Sequence, residues 1–146
     1  MELRPLVRLS VEVAPDMPIT RGYINGGIMA LSPDGTRLVV ALRGPDGAQR
    51  LYTRLLHQGE LMPLPGTEGA DSPFFSPTGQ WIGFTAGGKL KKIPVEGGAA
   101  VTICDAPQTR GASWGDDGSI VFAPQITAGL ARVSAAGGAP CAFNEA

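Results

Sequence analysis

His57 is the only histidine among 146 residues, so serine-nucleophile chemistry would have to run through it, because a serine hydroxyl needs a neighbouring base. The Gly-x-Ser-x-Gly elbow that presents such a serine is absent. His57 stands in Leu56-His57-Gln58-Gly59, where a solvated turn residue is expected. Phosphoryl transfer needs a glycine-rich phosphate loop, a strand lysine and a catalytic-loop aspartate to position metal and charge, and none of these signatures occurs. Asp116-Asp117-Gly118 resembles the start of a cation loop, but calcium requires several oxygen donors at fixed spacing and a distal bidentate carboxylate. Ser32-Pro33-Asp34-Gly35 lacks the following aromatic of an Asp box. Asp34-Gly35 and Asp117-Gly118 are read instead as hairpin turns, in which Asp and Gly tolerate positive φ. The sequence therefore assigns no catalytic residue, no metal ligand and no cofactor.

What these residues sit on is a repeat. Ser32-Pro33-Asp34-Gly35-Thr36-Arg37-Leu38-Val39-Val40 returns as Ser76-Pro77-Thr78-Gly79-Gln80-Trp81-Ile82-Gly83-Phe84, and, one residue shorter, within Trp114-Gly115-Asp116-Asp117-Gly118-Ser119-Ile120-Val121-Phe122. Each copy has apolar residues before a Gly-ended tetrad and a short strand pattern after it, which makes a hairpin. Two further strands follow in each unit, at 50–56 and 61–64, 89–95 and 100–104, and 130–134 and 140–143. The recurrence from Gly59 to Gly98 to Gly138 is about 40 residues, the length of four short antiparallel strands with their turns. No helix-length amphipathic segment appears. Four strands with two apolar faces cannot stand alone and must stack radially on neighbours, so each unit is a propeller blade. The fold class is all-β, a β-propeller segment of about three four-stranded antiparallel blades, at 28–66, 67–106 and 107–146, preceded by a strand and lead-in loop over 6–27. Leu31, Phe75 and Trp114 before the turns, with Val40, Phe84 and Phe122 after them, form the expected inter-blade layer.

Composition agrees with this. The Gly (21) and Pro (13) content is high, but an apolar fraction of 43% supports a core, and the glycines recur between apolar runs as tight turns require. A net charge of -1 argues against a polyanion-binding surface, which depends on clustered Lys and Arg. The cluster Lys89-Leu90-Lys91-Lys92 is read as a solvated strand edge. Leu6 to Val13 alternates apolar and mostly polar residues as a half-buried strand does. No segment approaches the roughly 20 apolar residues of a membrane span, and the first residues lack the apolar core of a signal peptide. Taken at face value the chain is cytoplasmic, an inference that lapses if it is part of a longer protein. Cys104 and Cys141 fall at different offsets from their local Gly-Gly pairs and are read as structural thiols; a disulfide would need an oxidising compartment and Cα atoms within about 7 Å.

The Ser32-Pro33-Asp34-Gly35 tetrad with Leu38-Val39-Val40, and its degenerate copies, resembles the WD40-like (PD40) repeat of TolB-type β-propellers. Leu64-Pro65-Gly66-Thr67-Glu68-Gly69-Ala70, Gly88 to Pro94 and Gly111-Ala112-Ser113-Trp114-Gly115 are similar to the propeller that follows the kinase domain in many bacterial serine/threonine protein kinases. The resemblance covers Val7 to Pro140. It implies a fold more than a function, since the same blade serves Tol–Pal accessory proteins, kinase sensor regions and the gating domains of prolyl-oligopeptidase-like peptidases. It implies a ring of six or more blades where this chain has three, so the chain reads as part of a larger propeller, or else as an arc that associates with a second arc through exposed blade faces. In the larger protein of either a TolB or a membrane-anchored kinase kind, the compartment would be periplasmic or extracytoplasmic.

In propellers the loops joining an outer strand to the next inner strand gather on one face near the channel. Here they are Thr67 to Ser72, Pro107 to Gly111 and, more loosely, Arg21 to Asn25. Glu68, Asp71, Gln108, Arg110 and Tyr23 are the expected partner-binding residues, with Asp71 and Arg110 at matching repeat positions. The expected function is a non-enzymatic interaction or sensor module for a protein or peptide, without nucleic acid or membrane insertion. The competing expectation is the gating propeller of a hydrolase whose catalytic domain lies elsewhere.

Overall fold

The computed structural model describes residues 29–107, 109, 111–124 and 129–142. The expected strand at Leu6 to Val13 lies outside them. Twelve strands form three four-stranded antiparallel sheets, without helix, in the described residues. Sheet one holds β1 (Met29–Leu31), β2 (Arg37–Arg43), β3 (Gln49–Leu55) and β4 (Met62–Pro63) in chain order. Sheet two holds β5 (Asp71–Phe75), β6 (Trp81–Ala86), β7 (Lys89–Pro94) and β8 (Val101–Asp105), and sheet three β9 (Ala112–Trp114), β10 (Ser119–Phe122), β11 (Ala131–Ser134) and β12 (Cys141–Ala142). Within each sheet every strand lies beside its sequence neighbours, as local hairpins dictate.

The sheets stack radially. First strands meet, β1 against β5 and β5 against β9, whereas none of the outer strands β4, β8 and β12 touches another. Sheets one and three share no contact, so the arc does not close on itself. Between sheets one and two, Val39, Ala41, Leu51 and Leu64 pack on Ile82, Phe84 and Ile93. Between sheets two and three, Phe74, Leu90 and Ile103 meet Ile120, Phe122 and Val133.

Three details differ from the expected packing layer. Phe84 and Phe122 are fully buried, and Phe75 and Trp114 only half-buried against the same clusters. Leu31 is 53% exposed: its cross-strand partner is Leu38, so it points away from sheet two. Val40 is buried on that same far side, with Leu42, Tyr52 and Leu61, rather than between two of the described sheets. The cause is the two-residue period of a strand, which sends positions 38, 40 and 42 to the face opposite 39 and 41.

The lysine cluster also differs. β7 lies between β6 and β8, so Lys89 to Lys92 occupy an interior strand and not an edge. Leu90 and Ile93 point into the two cores. Lys89 bonds the Asp105 carboxylate at 2.5 Å across to β8, and the Lys92 ammonium lies 4.8 Å from the centre of the Trp81 ring. An interior strand accepts lysines here because their stems cover neighbouring side chains while the charges reach the surface.

The Gly-ended corners share one polar arrangement. Gly35, Gly79 and Gly118 have φ of 75°, 74° and 81°, but Asp34 and Asp117 do not adopt positive φ; the glycine alone does. The aspartates act through their carboxylates instead. Asp34 Oδ1 accepts from Ser32 Oγ (2.6 Å), Thr36 N (3.0 Å) and Thr36 Oγ1 (2.8 Å). Asp117 accepts from the amide and hydroxyl of Ser119, and in the second copy Thr78 takes the place of the aspartate, against Ser76 and Gln80 N. These bonds hold Asp34 at a pKa of about 2 and lower that of Asp117, because each stabilises the carboxylate form.

Candidate interaction surface

The blades have two ends. At the hairpin end lie the β1–β2, β5–β6 and β9–β10 turns, each bonded to the turn after its third strand through Leu56 N to Thr36 O, Val95 N to Gln80 O and Ala135 N to Gly118 O. At the linker end lie the β2–β3 and β6–β7 turns and the segments that pass from one sheet to the next.

The first linker is held by Thr67. Its buried hydroxyl accepts from Leu51 N at 3.0 Å and donates to Leu64 O at 2.6 Å. Thr109 repeats the arrangement with Ala106 O. The shared signal is Pro-x-Thr, Pro65-Gly66-Thr67 and Pro107-Gln108-Thr109, a repeat element that sequence reasoning passed over. In that register Glu68 corresponds to position 110, whereas counting back from Phe75 and Trp114, which pair with Ile82 and Ile120, keeps Asp71 at that position.

Glu68 is exposed, with Oε1 3.7 Å from Arg50 Nε. Arg50 also grips Asp46 through two bonds, Nη2 to Oδ2 at 2.6 Å and Nη1 to Oδ1 at 3.0 Å. This fork-on-fork pairing fixes both groups in plane, and it brings Asp46 to a pKa of about 2 and raises that of Arg50. Asp46 belongs to Gly44-Pro45-Asp46-Gly47, a fourth tetrad of the same kind, in the β2–β3 turn. Its likeness to Ser32-Pro33-Asp34-Gly35 was the available signal for this cluster.

Asp71 opens β5 and is half-buried, its Oδ1 accepting from Ser72 N at 2.8 Å. The β5–β6 register slips between Asp71 and Phe74, so Ser72 sits in a bulge. It is the one described non-glycine residue with positive φ, at 52°. It is also 4% exposed, and its Oγ is the one buried side-chain polar atom among the described residues without a hydrogen-bond partner. Nothing in the sequence announces this: a serine in a left-handed bulge has no pattern of its own. Strain and an unmet hydroxyl together cost folding free energy, and such features gather where a ligand is met. Gln49 joins the group by donating from Nε2 to Ala70 O at 2.8 Å.

Of the expected binding residues, the structure thus places Glu68 and Asp71 at the linker end, flanking the buried Thr67 and Ala70. Gln108, Arg110 and Tyr23 lie outside the described residues, as does any Asp71 to Arg110 pairing. His57 is exposed in the turn after β3. Cys104 in β8 is buried and Cys141 in β12 exposed, both as free thiols, and burial foremost pushes the Cys104 pKa up. No helix among the described residues is long and apolar enough to cross a membrane.

No family model matches the chain. Among solved structures it is similar to one described as "putative TolB from Agrobacterium tumefaciens", with a TM-score of 0.56 and 17% identity, over 81% of this chain and 67% of that one. At this identity the likeness concerns the fold: three radially stacked sheets in the arrangement of a TolB-like β-propeller.

Proposed function

We propose that this TolB-like propeller arc is a non-enzymatic interaction module that binds a protein or peptide at its linker end, within a larger TolB-like or kinase-associated protein. The observation that carries the reading is Ser72, a buried hydroxyl without a partner, held in a left-handed bulge beside Asp71 on a first strand. A donor from a bound segment would satisfy it. Asp71 adjoins Ser72 and Glu68 stands in the linker just before it, so the preferred segment carries a basic residue. Gln108, Arg110 and Tyr23 belong to the proposed surface by sequence position. An open arc agrees with work inside a larger assembly, since further blades would continue the stack.

A random peptide library displayed on phage and panned against the full chain tests this, with a Glu68→Lys, Asp71→Lys variant as counter-screen. Both positions lie outside the fully buried core, so the variant should keep its far-ultraviolet spectrum. The expected result is enrichment of peptides with Lys or Arg that bind the variant at least about tenfold more weakly, a difference of about 1.4 kcal/mol. Peptides that bind both proteins alike would remove the linker end as the site.

A further inference from the structure

At the hairpin end, sheets one and two leave a cleft of about 430 Å³ between β3 and β4 on one side and the turn after β7 on the other. That size lies within the roughly 300–1,000 Å³ of small-ligand sites. Arg37 lines it, together with Thr53, Leu55, Met62, Pro63 and Glu96. The Arg37 side chain is only 17% exposed, yet its guanidinium has a single bond among the described residues, from Nη2 to Glu96 Oε1 at 3.1 Å. Glu96 is 81% exposed and belongs to a turn. A guanidinium offers five donors in a planar fork suited to two carboxylate oxygens. Here one oxygen of a solvated side chain takes one of them.

The blade does not need an arginine at this point. Arg37 N and Trp81 N each donate to the serine hydroxyl of their own corner, Ser32 Oγ and Ser76 Oγ, so the two residues are equivalent, and sheet two is built with tryptophan. The folded repeat is therefore complete without the charge, and Arg37 brings to the cleft something the architecture does not use.

We infer that the cleft binds a carboxylate, which takes the Arg37 fork from Glu96, with an apolar neighbour lying on Leu55, Met62 and Pro63. Glu60, which also lines the cleft, favours a monoanion with an apolar flank over a dianion such as phosphate. The carboxylate comes from an aspartate or glutamate of a peptide or from a chain terminus. This site lies at the other end of β2 from the linker-end surface, six residue steps or about 20 Å away, and takes the opposite charge.

The test is a titration of the 15N-labelled full chain, following the Arg37 Nε–H signal, with N-acetyl-leucyl-aspartyl-leucinamide, its asparaginyl isostere, N-acetyl-leucyl-leucine with a free terminus, and inorganic phosphate. At least one of the two carboxylate probes shifts the signal saturably, and which of them does so identifies the source; the asparaginyl peptide binds at least about tenfold more weakly, as expected for a lost charge-assisted pair. In Arg37→Gln and Arg37→Lys, which lack the Nε–H, binding is followed through the backbone amides of Leu55 and Glu96 in the same cleft; the first variant abolishes their shifts and the second weakens them, each checked for an otherwise unchanged backbone spectrum. The decisive variant is Glu96→Gln, an exposed change that should tighten binding by about threefold or more by removing the competitor. A merely structural ion pair gives the reverse: lower thermal stability in Glu96→Gln and no gain in affinity. That result, equal binding of the aspartyl and asparaginyl peptides, phosphate binding as tightly as the carboxylates, or no shift with either carboxylate, overturns the assignment, and none of them bears on the linker-end surface.

Discussion

The tip of the Phe74 ring lies over Gly83, its direct partner across β5 and β6, so closely that a Cβ on residue 83 would overlap the ring. The bare backbone lets the ring reach sheet three, where it meets Trp114 edge-on at 6.5 Å and 61°. Gly83→Ala should therefore destabilise the chain by about 1–3 kcal/mol, the cost of an extra group in a packed core. Combined with Phe74→Leu the two losses should fall short of their sum, because the smaller side chain makes room; urea melts of the two single and one double variant give the coupling. Strict additivity would mean that the ring does not occupy this place.

Burial separates two residues that the repeat treats as one layer. Phe84 is fully buried, and Phe84→Ala should cost about 3–5 kcal/mol. Leu31→Ala, at an exposed position, should stay within about 0.5 kcal/mol. Equal costs in chemical denaturation would contradict the assignment of faces in sheet one.

Ser72→Gly should stabilise the chain while weakening partner binding at the linker end. Glycine relieves about 1–2 kcal/mol of left-handed strain and removes a buried hydroxyl without a partner, against about 0.4–1 kcal/mol of added unfolded-state entropy. Thermal melts should show a higher midpoint, and peptides selected on the native chain should bind less well. A lower midpoint would show that the serine side chain supports the fold.

Asp34 makes stability depend on acid. Its folded pKa is about 2, against an ordinary 3.8, so its contribution is complete above the ordinary value and is lost as pH falls from there through about 2. Asp34→Asn should flatten the fall in stability over that window without abolishing it, since Asp46 titrates in the same range. Parallel curves for the two proteins, from denaturant midpoints at successive pH values, would dissociate Asp34 from the acid response.

The sheets were legible because turn chemistry and alternation agree. Each Gly-ended tetrad specifies a corner, and the short apolar run after it, Leu38 to Leu42 in the first copy, is a strand, so β2, β6 and β10 are legible to within a residue or two. What alternation leaves open is which side of a sheet meets which neighbour. The sequence alone therefore groups Leu31 and Val40 with Phe84 and makes an edge of Lys89 to Lys92. Glu68 and Asp71 fall at the linker end as their sequence positions imply, because loops between repeats are short and fixed in position. Arg50 escaped notice because its role arises from register: β3 carries it beside Asp46 in the preceding turn and Glu68 in the following linker. Ser72 and Arg37 were hidden for a related reason, since one depends on a bulge and the other on an inter-sheet gap, neither of which any local pattern encodes.

Pro63 closes the first sheet on its outermost strand, opposite Tyr52. Having no amide hydrogen, it denies an incoming strand one rung of the ladder at the rim, and a two-residue β4 leaves little else to copy. The rim of this blade is thereby guarded against fibre growth. Pro63→Val, which keeps the residue apolar and restores the missing rung, is the change that would invite the chain to polymerise side by side.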